Sequence, residues 1–198
     1  MSLSKQAKVL TKSQILSISS YLEGRRNGLR NVVMFLLSCR SGLRAKEIAS
    51  IKWDHIMRSD GSIGDTINLP NIASKGNSGR VIPLNKELKR KLEELFDSRS
   101  KRNGFTQNEN IIISEQRRPM SPNVVVHFFR RLYCDLGLIG CSSHSGRRTF
   151  ITNAARMVST VGGSLEDVRL LAGHSSLTIT SRYIDHNEEA VKKLVNLI

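Results

Sequence analysis

The segment Leu171-Ala172-Gly173-His174-Ser175-Ser176-Leu177-Thr178-Ile179-Thr180-Ser181-Arg182-Tyr183-Ile184 sets a histidine nine positions ahead of a tyrosine near the end of the chain. Two upstream segments complete a pattern. Ser41-Gly42-Leu43-Arg44-Ala45-Lys46-Glu47-Ile48 supplies an arginine, and His144-Ser145-Gly146-Arg147-Arg148-Thr149-Phe150 supplies a His-x-x-Arg unit. Two arginines, two histidines and a late tyrosine together suit the cleavage of a phosphodiester.

Breaking a DNA strand so that it can be resealed requires a side-chain nucleophile that holds the phosphate as an ester, conserving the energy of the broken bond. Tyr183 is the candidate. An attacked phosphodiester gains charge on its equatorial oxygens, which fork-shaped, permanently charged guanidinium groups stabilise better than a lysine ammonium. Arg44 and Arg147 fit that role. A neutral imidazole can accept the tyrosine proton at physiological pH, and His144, three residues before Arg147, reaches the same phosphate. The departing 5′-oxygen needs a proton in turn. Lys75, in Ile72-Ala73-Ser74-Lys75-Gly76-Asn77-Ser78-Gly79-Arg80-Val81-Ile82-Pro83-Leu84, sits where a turn between two short strands would present it as the acid, with Arg80 and Lys86 as nearby alternatives.

With these motifs in this order, the chain resembles the catalytic domain of the tyrosine recombinase (phage integrase) family over roughly residues 12 to 186. The resemblance implies a mainly α-helical fold with a small antiparallel β-sheet carrying Lys75. It implies a catalytic set of Arg44, Lys75, His144, Arg147, His174 and Tyr183, with Glu47 as a supporting acid. Glu47 taken alone reads equally well as a simple partner of Arg44 or as a residue on the solvated face of its helix. Two motifs depart from the family pattern: His-Ser-Gly-Arg-Arg stands for the commoner His-x-Leu-Arg-His, and Leu-Ala-Gly-His for Leu-Gly-His. Only about ten residues precede the first helix, so the N-terminal core-binding domain usual in the family is expected to be absent, with residues 1–11 as a short extension.

The 198 residues suffice for one domain with its own core. Lys and Arg number 31 against 17 Asp and Glu, a net charge of +14 that favours a polyanionic partner over a neutral small molecule. Double-stranded DNA is the expected partner. The resemblance adds a homotetramer on DNA, with a monomer in its absence, and no metal or nucleotide cofactor. Cys39, Cys134 and Cys141 form no Cys-x-x-Cys pair, so they read as reduced thiols rather than a disulfide or zinc framework. No apolar run is long enough to span a membrane, and a cytoplasmic, nucleoid-associated protein is expected.

Local signals place the elements. Thr11-x-x-Gln14 has the form of a capping box opening a helix through Ile15, Ile18 and Leu22. Asn31 to Cys39 reads as a buried helix and Arg44 to Ile51 as a short one. Thr66 to Leu69 and Arg80 to Leu84 read as strands joined through the Lys75 turn. Asn85 caps a helix to about Ser98, and Ser121-Pro122 starts one to about Asp135. Ser145 opens another through about Val158, which puts Arg147 in its first turn, where free backbone N–H groups favour an anion. Ser164 caps Leu165 to Leu171, Gly173 ends that helix, and Ser176 is expected to cap a helix carrying Tyr183. Asn187 to Ile198 reads as an amphipathic tail helix able to dock on a neighbouring protomer. Trp53 is expected in the core, and His55, His127 and His186 in structural or exposed roles.

The function expected from this set is site-specific DNA strand exchange through a 3′-phosphotyrosyl intermediate. Two alternatives use the same chain differently: a type IB topoisomerase-like relaxing enzyme, or a non-catalytic DNA-binding regulator derived from a recombinase.

Overall fold

Six consecutive apolar residues, Val32 to Leu37, predict a helix with no solvent-facing side, and a computed structural model places all six at 0 to 1% exposure. The structure describes residues 6–71, 79–184 and 196. This central helix, α2 (Gly28–Ser41), packs against α1 (Lys12–Glu23), α4 (Lys86–Ser100) and α6 (Ser145–Met157). α3 (Ala45–Ser50) lies on α5 (Pro122–Asp135), while α7 (Leu165–Ala172) packs on α6 and α8 (Leu177–Ser181) on α7. Among the described residues no helix is long and apolar enough to cross a membrane.

The caps agree with their sequence signals. Thr11 accepts from the backbone N–H of Gln14 while the Gln14 side chain accepts from the backbone N–H of Thr11. The Asn85 side chain accepts from the backbone N–H of Glu87, and that of Ser121 from the N–H of Val124. Gly42, at φ 65°, ends α2 in the left-handed region that an L side chain resists. This turn aims the chain into Leu43 and Arg44, so a helix stop is also the platform for a candidate site residue.

The small sheet is the expected antiparallel pair, β1 (Thr66–Leu69) and β2 (Arg80–Pro83), with Ile67 opposite Ile82 and Leu69 opposite Arg80. Ile67, Leu69 and Ile82 face the core. Lys75, expected at a turn between these strands, lies outside the described residues. So do His186 and, apart from Asn196, the expected tail helix from Asn187 to Ile198.

Two further readings meet the structure differently. Trp53 is fully buried, edge-on to Phe96 and Phe105, as expected of a core residue. The helix expected to carry Tyr183 ends earlier: α8 stops at Ser181, Ser176 makes no side-chain cap, and Tyr183 lies in the turn beyond. The backbone N–H of Tyr183 donates to Thr180 rather than to a residue four positions back, which tightens the helix end into that turn.

The departure at Gly146 has a packing reason. A Cβ built there would lie 2.3 Å from the Ser38 hydroxyl oxygen and 2.8 Å from its Cβ. Glycine therefore lets α6 cross α2 closely, and that contact sets Arg147 against the end of α2. Gly146→Ala should cost about 1–3 kcal/mol, the usual scale of overpacking, with each kcal/mol lowering Tm by about 2–4 °C in a chain of this size. Thermal unfolding of the variant checks it; an unchanged Tm would contradict the close crossing.

Candidate active site

Five separated segments converge on one cleft of about 880 Å³, lined by Arg44, Arg80, His144, Arg147, His174 and Tyr183. Arg44 comes from the N-cap of α3, Arg80 from the start of β2, and His144 and Arg147 from the start of α6. His174 follows the α7 stop, where Gly173 at φ 64° reverses the chain, and Tyr183 follows α8. The cleft therefore brings together every described residue of the expected set.

Glu47 is the buried centre of this arrangement. It is 0% exposed, and its carboxylate accepts from Arg80 Nη1 at 2.9 Å, Arg80 Nη2 at 3.2 Å, Arg44 Nη1 at 3.1 Å and the Arg44 backbone N–H at 2.7 Å. Burial pushes the carboxyl upward, but the hydrogen bonds and charge of Arg80, followed by those of Arg44, outweigh it and hold Glu47 below the usual carboxylate range. The solvated-face reading of Glu47 is thus excluded.

Arg147 is 4% exposed and ties two loops together: Nη1 donates to Gly42 O at 2.5 Å and Nη2 to Ala172 O at 2.8 Å. Burial, then the charge of Arg44, lower its pKa to about 10, which leaves it cationic at neutral pH. Because the guanidinium has five N–H donors, these two anchors leave others for an anion in the cleft.

His174 is nearly buried, with Nδ1 3.0 Å from the Thr180 hydroxyl and its ring stacked on that of Tyr183 at 5.3 Å and 25°. Burial, followed by the charges of Arg147, Arg44, Arg80 and Arg169, brings its pKa down to about 4. The imidazole is neutral at physiological pH. Arg169 also fixes the turn by donating Nη1 to the His174 carbonyl at 2.8 Å.

Tyr183 packs against a small cluster built on Ile151, Val168 and Ala172, apart from the main core. The Thr152 hydroxyl donates to its carbonyl at 3.1 Å, and the Arg148 guanidinium lies 5.7 Å from its ring centroid, within cation–π range. Of the chain's three tyrosines, this is the one at the cleft. Tyr133 is buried in the core with its hydroxyl pushed well up by burial, and the Tyr21 hydroxyl accepts from Arg25. His144, at the N-cap of α6, is exposed at the mouth of the cleft.

Arg80 was read from sequence only as a stand-in for Lys75; the structure gives it a different place. It does carry a sequence signal. Side chains alternate along a strand, so Arg80 shares a face with buried Ile82, whereas apolar Val81 between them is 60% exposed. A charge on the buried face of a strand demands a buried counter-charge, and Glu47 is the one it meets. Arg148 and Thr180 carry no comparable signal, since their contacts depend on where separate segments meet.

Among the described residues no cluster of His, Cys, Asp and Glu is arranged to hold a metal ion. The sequence matches the phage integrase family over residues 8–190. The chain belongs to this family.

Two relatives illustrate the match. Tyrosine recombinase XerC of Chlamydia muridarum is 26% identical over 189 residues, covering 94% of this chain and 56% of that protein. Tyrosine recombinase XerD of Xanthomonas campestris pv. campestris is 28% identical over 186 residues, covering 89% and 54%. The chain thus spans a little over half the length of these relatives. Among solved structures, a Tn1549 transposon integrase in complex with a circular intermediate DNA superposes with TM-score 0.75 at 19% identity, covering 100% of this chain and 68% of that one. XerA recombinase superposes with TM-score 0.74 at 18% identity, covering 96% and 64%. The fold of this phage integrase family member is therefore that of the tyrosine recombinase catalytic domains.

The lowered pKa of His174 has a measurable sign. The unfolded chain binds this proton below about 6.5 and the folded chain only below about 4, so between those values the unfolded state holds more protons. Stability is expected to fall as pH drops from about 6.5 to about 4, and less steeply in His174→Gln. Unfolding followed across that window, with an NMR titration of the His174 ring, checks it; a midpoint near 6.5 would contradict the buried neutral imidazole.

Proposed function

We propose that this chain is a site-specific DNA recombinase that cleaves and rejoins strands through a 3′-phosphotyrosyl intermediate. The observation that carries the reading is the convergence of Tyr183, His174, Arg147 and Arg44 on one cleft around the buried Glu47. Four arginines line that cleft, Arg44, Arg80, Arg147 and Arg169, against two carboxylates, Asp167 in its wall and Glu47 buried behind it. The surplus positive charge suits a phosphodiester. Solved relatives bound to DNA, including the Tn1549 integrase and a lambda integrase dimer on its core site, support duplex DNA as the partner.

In this mechanism Arg44 and Arg147 grip the non-bridging oxygens, which gain charge as Tyr183 Oη attacks phosphorus. His144, open to the cleft mouth, accepts the phenol proton. His174 acts as a neutral donor in the tautomer that carries its proton on Nε2: Nδ1 then accepts from the Thr180 hydroxyl 3.0 Å away, and Nε2–H is turned to a phosphate oxygen. The P–O5′ bond breaks, Lys75 protonates the leaving oxygen, and the 5′-hydroxyl of a partner strand reverses the sequence. Exchange between two duplexes calls for four protomers on DNA, with the segment from Asn187 to Ile198 as the docking element between them.

The experiment that tests the reading incubates the chain with nicked, fragmented genomic DNA, denatures the mixture and sequences DNA covalently bound to protein. Adducts concentrated at one sequence are expected. Adducts spread over all sequences would instead indicate a topoisomerase-like enzyme, and none at all a DNA-binding regulator. Tyr183→Phe should abolish the adduct while leaving DNA binding nearly intact, since only the attacking oxygen is lost; peptide mass spectrometry should place the nucleotide on Tyr183.

Arg147→Lys should slow single-turnover adduct formation by about 10² to 10³, the scale for losing one preorganised charge-stabilising donor. A lysine cannot reach Gly42 O, Ala172 O and phosphate together. Near-wild-type cleavage by this variant would contradict the forked role.

A further inference from the structure

We propose that Arg80 is a positioning residue that leaves Arg44 free to bind phosphate, by sharing the buried Glu47 carboxylate that Arg44 would otherwise satisfy alone. The inference rests on the reading of the cleft as a strand-cleaving site.

The four hydrogen bonds to Glu47 are divided evenly. Oε1 accepts from Arg80 Nη1 and Arg44 Nη1; Oε2 accepts from Arg80 Nη2 and the Arg44 backbone N–H. Arg80 therefore holds the forked, two-oxygen position, and Arg44 touches the carboxylate with one guanidinium nitrogen. Among the described residues Arg44 Nη2 and Nε have no hydrogen-bond partner, and its side chain is 33% exposed against 6% for Arg80. The buried arginine is the anchor, and the more exposed one keeps its outer N–H groups on the cleft.

Three elements lock Arg80 into this role. Its backbone pairs opposite Leu69 in the sheet, its Nε donates to Leu171 O at 3.0 Å at the end of α7, and its fork faces Glu47. Gly173 lies directly against it: a Cβ there would come within 2.9 Å of Arg80 Nη1 and 3.0 Å of its Cδ. The turn that delivers His174 is thus seated on the same guanidinium that holds Glu47. A buried carboxylate left with one guanidinium partner favours the two-pronged geometry. Without Arg80, Arg44 rotates inward to supply it, and its outer N–H groups leave the cleft.

A merely structural arginine and this one predict opposite results for a second substitution. Arg80→Ala should slow single-turnover adduct formation on the DNA recovered above by about 10²-fold, with DNA affinity within a few-fold of wild type. Arg80→Lys should be nearly as slow, because one ammonium cannot span both Glu47 oxygens and Leu171 O. Adding Glu47→Gln to Arg80→Ala removes the carboxylate that captures Arg44, and should recover at least tenfold in rate. A second readout needs no cleavage: the Arg44 Nε–H NMR signal, titrated with inorganic phosphate, should shift in the wild type, fail to shift in Arg80→Ala and Arg80→Lys, and shift again in the double variant. Should Arg80→Ala not fold, Arg80→Lys and its combination with Glu47→Gln carry both readouts. Wild-type cleavage by the Arg80 variants, a double variant no faster than the single one, or a phosphate response indifferent to Arg80 overturns the inference. A wild-type chain that forms no adduct, yet shows the Arg80-dependent phosphate response, would defeat the recombinase reading and leave the positioning role standing.

Discussion

Burying a carboxylate costs several kcal/mol unless its charge is compensated, and Glu47, wholly excluded from solvent, is compensated from two directions. Arg44 approaches from the turn that ends α2, and Arg80 from the first position of β2. Because the carboxylate takes one guanidinium from the turn after α2 and the other from β2, the helical body and the small sheet are joined at this point. The α7 stop is drawn in as well, since Arg80 holds Leu171 O and Arg147 holds Ala172 O. One buried negative charge thus organises a ring of positive ones, and the ring keeps a surplus that faces the cleft.

The two sides of the cleft rest on different supports. Arg44 and Arg147 stand on the main core: Arg147 is set by the close crossing of α2 and α6 at Gly146 and Ser38. Tyr183 stands on the smaller cluster of Ile151, Val168 and Ala172, held by the stacked His174 ring, the Thr152 hydroxyl and the Arg148 guanidinium. The two arginines are therefore built onto the main core, while Tyr183 is seated by a few specific contacts. Burial and the cations around His174 have one electrostatic consequence: charging the ring would place a further positive charge among Arg147, Arg44, Arg80 and Arg169, so its pKa is lowered and the imidazole stays neutral.

Much of this was legible in the chain. Capping signals at Thr11, Asn85 and Ser121 act over three residues, and the structure satisfies them where the sequence puts them. The wholly apolar run in α2 announced a central helix for the same reason: its solvation demands do not depend on its neighbours' identity. Ser176 shows where local reading fails. Its position suggested a cap for a helix through Tyr183, yet α8 spans only Leu177–Ser181 and Tyr183 turns away to lie on His174 and the small cluster. Tertiary contact outweighed the weak propensity of a five-residue helix.

The sequence by itself determined the residue types of the candidate site and their order, because the phosphodiester chemistry proposed for it restricts which side chains could attack, grip and exchange protons. It determined the helical class and the strand pair, because periodicity and caps are short-range. Only the tertiary structure decided how Glu47 is shared, that Arg80 rather than solvent completes it, and why glycine stands at 146. Those depend on distances between segments 33 or more positions apart in the chain, and no local pattern encodes whether a buried charge finds one partner or two.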